Sequence, residues 1–132
     1  MTNLSADSLV PLMARLLFSP PELDRVHGEL ERYGLEPCER EVMRVRLAIL
    51  KLSAGSFEGL VQNVEAAKRD YRDVLAWAEY PEEFALPPIA QASLTPTELT
   101  QREAARRRDR EQYLSWLNRA VPGASGPSGS NG

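Results

Sequence analysis

His27 and Cys38 are the one histidine and the one cysteine among 132 residues, and they bound the chemistry this chain can perform. Two antiparallel helices joined at 34–37 would bring them together, with Cys38 in a first helical turn, where the dipole favours a thiolate. A Cys38 and His27 dyad is therefore the best nucleophile the sequence offers. The plainer reading is stronger. Cysteine is commonly buried as a small hydrophobe, and His27 sits at the edge of an apolar stripe, between Leu23 and Leu30. An enzyme built on this pair is the outsider among the possible functions.

Metal and phosphate chemistry find less support. A di-metal helical bundle needs an acidic residue followed three later by histidine on each of two helices. Asp24 and His27 have that spacing once, with no second histidine to repeat it. One cysteine and one histidine are also too few for a zinc site. No glycine-rich loop precedes Lys51 or Lys68 in the order that cradles phosphate. Asp70 with Asp73, and Glu82 with Glu83, read as surface carboxylates at helix ends. The sequence thus predicts no catalytic residue, no metal ligand and no cofactor.

The unusual surface lies later. Arg102, Arg106, Arg107, Arg108 and Arg110 stand against Glu103 and Asp109, a local excess of positive charge in a chain whose net charge is −3. Arg102, Arg106 and Arg110 follow at steps of four and share one helical face, where like charges are unfavourable unless something neutralises them. Phosphate, an acidic partner or solvent would serve. Pairs such as Glu98 with Arg102 and Glu103 with Arg107 favour solvent, and the stretch lacks the interleaved aromatics of a nucleic-acid binder. A nucleic-acid accessory role through residues 102–110 is accordingly the alternative reading. Beyond the arginines come Tyr113, Leu114, Trp116, Leu117 and Val121, which either dock the helix on the rest of the protein or anchor a partner. Arg102, Arg106, Arg110, Tyr113, Trp116 and Leu117 are the candidate partner-binding residues.

These groups must be positioned by helices. Between residues 56 and 80, Phe57, Leu60, Val61, Val64, Ala67, Tyr71, Val74, Leu75 and Ala78 fall on one stripe of a 3.6-residue helix, which predicts one continuous element ended by Pro81. A cap at Asp70 could divide it, but the stripe passes that point in phase. A helix over about 6–18 is expected to follow a cap at Ser5, with Pro11 in its first turn and Leu9, Met13, Leu16 and Leu17 inward. Ser19, Pro20 and Pro21 open the next, with Leu23, Val26, Leu30 and Tyr33 inward and Gly34 at its close. Pro37 and Glu39 open a third that runs to about 53; its apolar residues, Leu47 among them, occupy more than half its circumference, so it belongs at the centre. From 81 to 93, Pro87 and Pro88 with Phe84, Leu86 and Ile89 suggest an extended strap across the bundle. Thr95, Pro96 and Glu98 start a last helix that runs to about 120.

The expected architecture is all-α: a small bundle of four to five helices over 5–90, a charged amphipathic helix over 95–121, and a disordered tail of Gly, Ser, Pro and Asn over 122–132. With 42% hydrophobic residues the chain can bury one core, and Trp77 is expected within it. No apolar run reaches the roughly 20 residues of a membrane span, and no basic segment precedes residues 9–18 as in a signal peptide. A lone cysteine fits a reducing compartment, so the expected setting is cytoplasmic, with no membrane partner.

The segment Arg69, Asp70, Tyr71, Arg72, Asp73, Val74, Leu75, Ala76, Trp77, Ala78, Glu79, Tyr80, Pro81, preceded by Leu50, Lys51, Leu52 and Ser53, resembles one found in small uncharacterised bacterial helical proteins. The likeness covers roughly residues 40–84 and is a packing pattern, so it implies a bacterial helical protein and no activity. The reading that follows is a non-catalytic interaction or structural module, partnered by another protein or by itself through the last helix.

Overall fold

The computed structural model describes residues 6–86 and 95–120. Seven α-helices and one 3-10 turn, with no strand among these residues, make the protein all-α. None of the helices is long and apolar enough to cross a membrane. The helices are α1 (Ala6–Leu17), α2 (Leu23–Leu30), α3 (Val42–Ser53), α4 (Phe57–Arg69), α5 (Tyr71–Glu79), α6 (Pro81–Ala85) and α7 (Pro96–Asn118), with the 3-10 turn at Pro20–Glu22 leading into α2. Residue 5, the expected first cap, and the tail 122–132 lie outside the described residues, as do 87–94 and Val121.

Helix α3 is the centre, in contact with α1, α4 and α5. Val45, Leu47, Ala48, Ile49 and Leu50 are all buried on it, as the breadth of its apolar surface requires. It begins later than expected, at Val42, because Glu39 is drawn into a different task. The turn after α2 carries free N–H groups, and the buried Glu39 carboxylate accepts three of them through Oε1: Gly34 at 2.7 Å, Leu35 at 3.0 Å and Glu36 at 3.4 Å. Its Oε2 accepts from Lys68 Nζ of α4 at 2.7 Å, and Lys68 also donates to the Arg32 carbonyl at 2.9 Å. Gly34 is required here: its φ is +114, and a Cβ would stand 3.0 Å from Val42 Cγ1. Tyr33, fully buried, donates to the Arg40 carbonyl at 2.7 Å, and Arg46 donates to the Tyr33 carbonyl at 2.9 Å. One carboxylate thus turns a polar loop into part of the core.

Four local expectations are corrected. The run 56–80 is two helices, because Asp70 adopts an extended backbone and its side chain accepts from Arg72 N at 3.0 Å, capping α5. The apolar stripe continues in phase across this break, which is why periodicity alone does not reveal it. In α1, Pro11 lies past the first turn, and the buried set is Leu9, Val10, Met13, Ala14 and Phe18, with Leu16 half exposed. Trp77 is 40% exposed on α5 rather than in the core. The expected strap starts as a helix, α6, since Pro81 suits a first helical position and Glu82 and Glu83 complement the dipole.

Leu47, 4% exposed on the central helix, should lose about 2–5 kcal/mol on replacement by Ala through the cavity left behind, read as a lower denaturant midpoint at unchanged slope. Burial opposes the Glu39 charge, but the Lys68 ammonium and the three backbone donors outweigh it and lower the carboxyl from 4.5 to about 2. A lowered folded-state pKa means that this stability is complete above the unfolded value and is lost as pH falls toward the folded one. Wild type should therefore lose stability between roughly pH 5 and pH 2 more steeply than Glu39→Gln, measured as urea midpoints across that range.

Candidate functional site

Helix α7 is polar around most of its circumference, so its position needs an explanation other than an apolar stripe. Thr95 and Glu98 start it as a reciprocal capping box, Glu98 N donating to Thr95 Oγ1 at 3.1 Å and Thr95 N to Glu98 Oε1 at 2.9 Å. The anchor is Asp109. It is completely buried, and its two carboxylate oxygens accept from Glu82 N and Glu83 N, each at 2.9 Å. Pro81 has no N–H, so these are the first free donors of α6, and a side chain from another helix caps them. Burial lowers the nearby Lys51 ammonium on α3, and the Asp109 charge works against that shift.

Around this anchor the two helices are laced together. Arg106 Nη2 pairs with Glu83 Oε2 at 2.8 Å, and Arg108 Nε pairs with Glu82 Oε1 at 2.6 Å. The Arg106 hydrogen bond, opposed by burial and helped by the charges of Arg106 and Arg102, lowers the Glu83 carboxyl. Ala105 is buried, Gln112 Nε2 donates to the Ala78 carbonyl at 3.2 Å, and Trp116 packs on the core with Tyr113 stacked on it at 5.6 Å between ring centroids. Helix α7 is therefore docked from about Ala105 onward, while residues 95–101 are exposed.

One flank of the docked helix is left as a groove of about 580 Å³ against the end of α5. Tyr80, Tyr113, Leu114 and Leu117 supply its apolar lining, with Arg106, Arg110 and Glu79 beside them. Glu79 is neutralised: Arg44 grips it from Nε at 2.9 Å and Nη2 at 2.6 Å, and also donates to the Tyr80 hydroxyl at 3.2 Å. Tyr113 has its hydroxyl sealed from solvent without a partner, and burial, reinforced by the Glu79 charge, raises its pKa. Tyr80 and Leu114 remain 40% and 51% exposed.

Of the six candidate partner-binding residues, four meet in this groove: Arg106, Arg110, Tyr113 and Leu117. Trp116 turns toward the core, and Arg102 lies half-buried near Glu83. Sequence reasoning missed Asp109 and Tyr80 as determinants and placed Leu114 in the apolar cluster without counting it among the partner-binding residues; the only available signal for Asp109 was its spacing of four from Ala105. Cys38 is exposed at a separate surface cleft lined by Lys68, Arg69, Asp70, Tyr71 and Arg72. His27 does not line that cleft, and no hydrogen bond joins the two. Among the described residues no three His, Cys, Asp or Glu gather as a metal-ion site.

No family model matches this chain, and neither a curated protein nor a solved structure is similar to it.

Asp109→Ala should strip the Glu82 and Glu83 N–H groups of their acceptor and lower stability by about 1–3 kcal/mol per donor at most, with α7 becoming protease-sensitive before the core. Tyr113→Phe should leave the urea midpoint unchanged or raise it, since it removes an unpartnered buried hydroxyl.

Proposed function

We propose that this protein is a non-catalytic interaction module whose partner-binding surface is the groove between α7 and the end of α5. The observation that carries the reading is the pairing of a docked helix with an unfilled apolar flank. A helix fixed on one side by Asp109 presents Leu114 and Leu117 beside Tyr80 at a defined spacing, and a pre-organised surface of this kind binds with less ordering cost than a mobile one. Aromatic residues and arginine together at a concave patch are the composition of interface anchors. The polyanion reading loses ground because Arg106 and Arg108 are engaged by Glu83 and Glu82. Its free, exposed cysteine supports a cytoplasmic setting.

Photo-crosslinking in the native cell tests this reading. A benzoylphenylalanine at Leu114 should give a discrete protein adduct, whereas the same group at exposed Gln62 on α4 should give none. Adducts of equal intensity at both positions, or at neither, would contradict it.

A further inference from the structure

Resting on that reading, the charges around the groove point to the chemistry of the partner: we infer that it is an acidic amphipathic helix, its apolar face on Tyr80, Leu114 and Leu117 and its carboxylates toward Arg110 and Arg107. Glu79 is matched by Arg44, and Arg106 by Glu83. Arg110, on the wall of the groove, and Arg107, in the shallow cleft that adjoins it along α7, have no acidic group within 4.0 Å among the described residues. Glu103 shares the adjoining cleft with Arg107, so the positive excess next to the open apolar strip is centred on Arg110, on a chain whose net charge is −3.

Geometry favours a helical occupant. Arg110, Leu114 and Leu117 follow at steps of four and three along α7, so the strip runs lengthwise, cationic at its N-terminal end and apolar beyond it, and a second helix laid along it would meet both. A lysine-rich segment would set like charge against Arg110 and Arg107, which discriminates against it. A nucleic-acid strand laid in the groove would have to cover Leu114 with a polar backbone.

Fluorescence anisotropy on the full chain tests the inference with two labelled peptides: an 18-residue amphipathic helix of leucine and glutamate, and its twin with lysine in place of every glutamate. The glutamate peptide should bind and the lysine peptide should not. Arg110→Glu should weaken the glutamate peptide about tenfold and admit the lysine peptide, and Leu114→Ser should weaken the glutamate peptide. Both side chains are exposed, so the helical signal and the urea midpoint should stay at wild-type values and show that the variants are folded. Equal binding of the two peptides, binding indifferent to Arg110→Glu, or binding of neither would overturn the inference. So would an Arg110-dependent complex with a labelled single-stranded oligonucleotide when the glutamate peptide fails. If peptide binding fails while the Leu114 adduct still forms in cells, the acidic partner is refuted and the interaction module stands.

Discussion

A carboxylate without solvent access, on a helix otherwise made largely of polar and charged residues, joins α6 to α7. Asp109 accepts the two N–H groups that Pro81 leaves at the start of α6, and so joins two short or polar elements that could not hold each other by apolar contact. A buried carboxylate is costly unless its lone pairs are satisfied, and the same requirement makes its geometry narrow. Helix α7 is held against α6 in the register that these two bonds define. The arginine pairs at its flank add specificity to that register; they are exposed and contribute little to stability.

The other end of the molecule uses the same device. Glu39 gathers three N–H groups of the turn after α2 and ties them to Lys68 of α4, so a loop between helices is closed by its own carboxylate and fixed to the bundle by a lysine from beyond it. Between these two carboxylates lies a core of ordinary composition, with α3 as its axis. The groove is a consequence of this arrangement. Asp109 fixes which side of α7 faces inward, and the side that carries Arg110, Leu114 and Leu117 is left beside Tyr80 with nothing from the described chain to cover it.

The helical class and the central helix were legible in the sequence because burial of a helix repeats every three to four residues, and Leu47, Val64 and Val74 obey that rule. The same periodicity was blind to the break at Asp70, since a cap changes the backbone at one residue without moving the stripe. Trp77 shows a second limit: an aromatic type predicts burial on average, whereas its place on the outer side of α5 decides the case. Glu39 and Asp109 were illegible for a deeper reason. Each is one acidic residue among many, and what distinguishes them is a partner brought in from far along the chain, Lys68 for Glu39 and the Glu82 and Glu83 N–H groups for Asp109. The arginine cluster was visible, but its partition into paired and unpaired members depends on Glu82 and Glu83, more than 20 residues away.

Amide hydrogen exchange at Glu82 and Glu83 tests the central claim most directly. First-turn amides of a five-residue helix have no helical partner and ordinarily exchange nearly as fast as an open chain. Held by the buried Asp109 carboxylate, these two should exchange orders of magnitude more slowly, at rates approaching those of the α3 core. Exchange at the rate of an unprotected amide would show that Asp109 does not hold α7 in place, and the groove would lose the constraint that forms it.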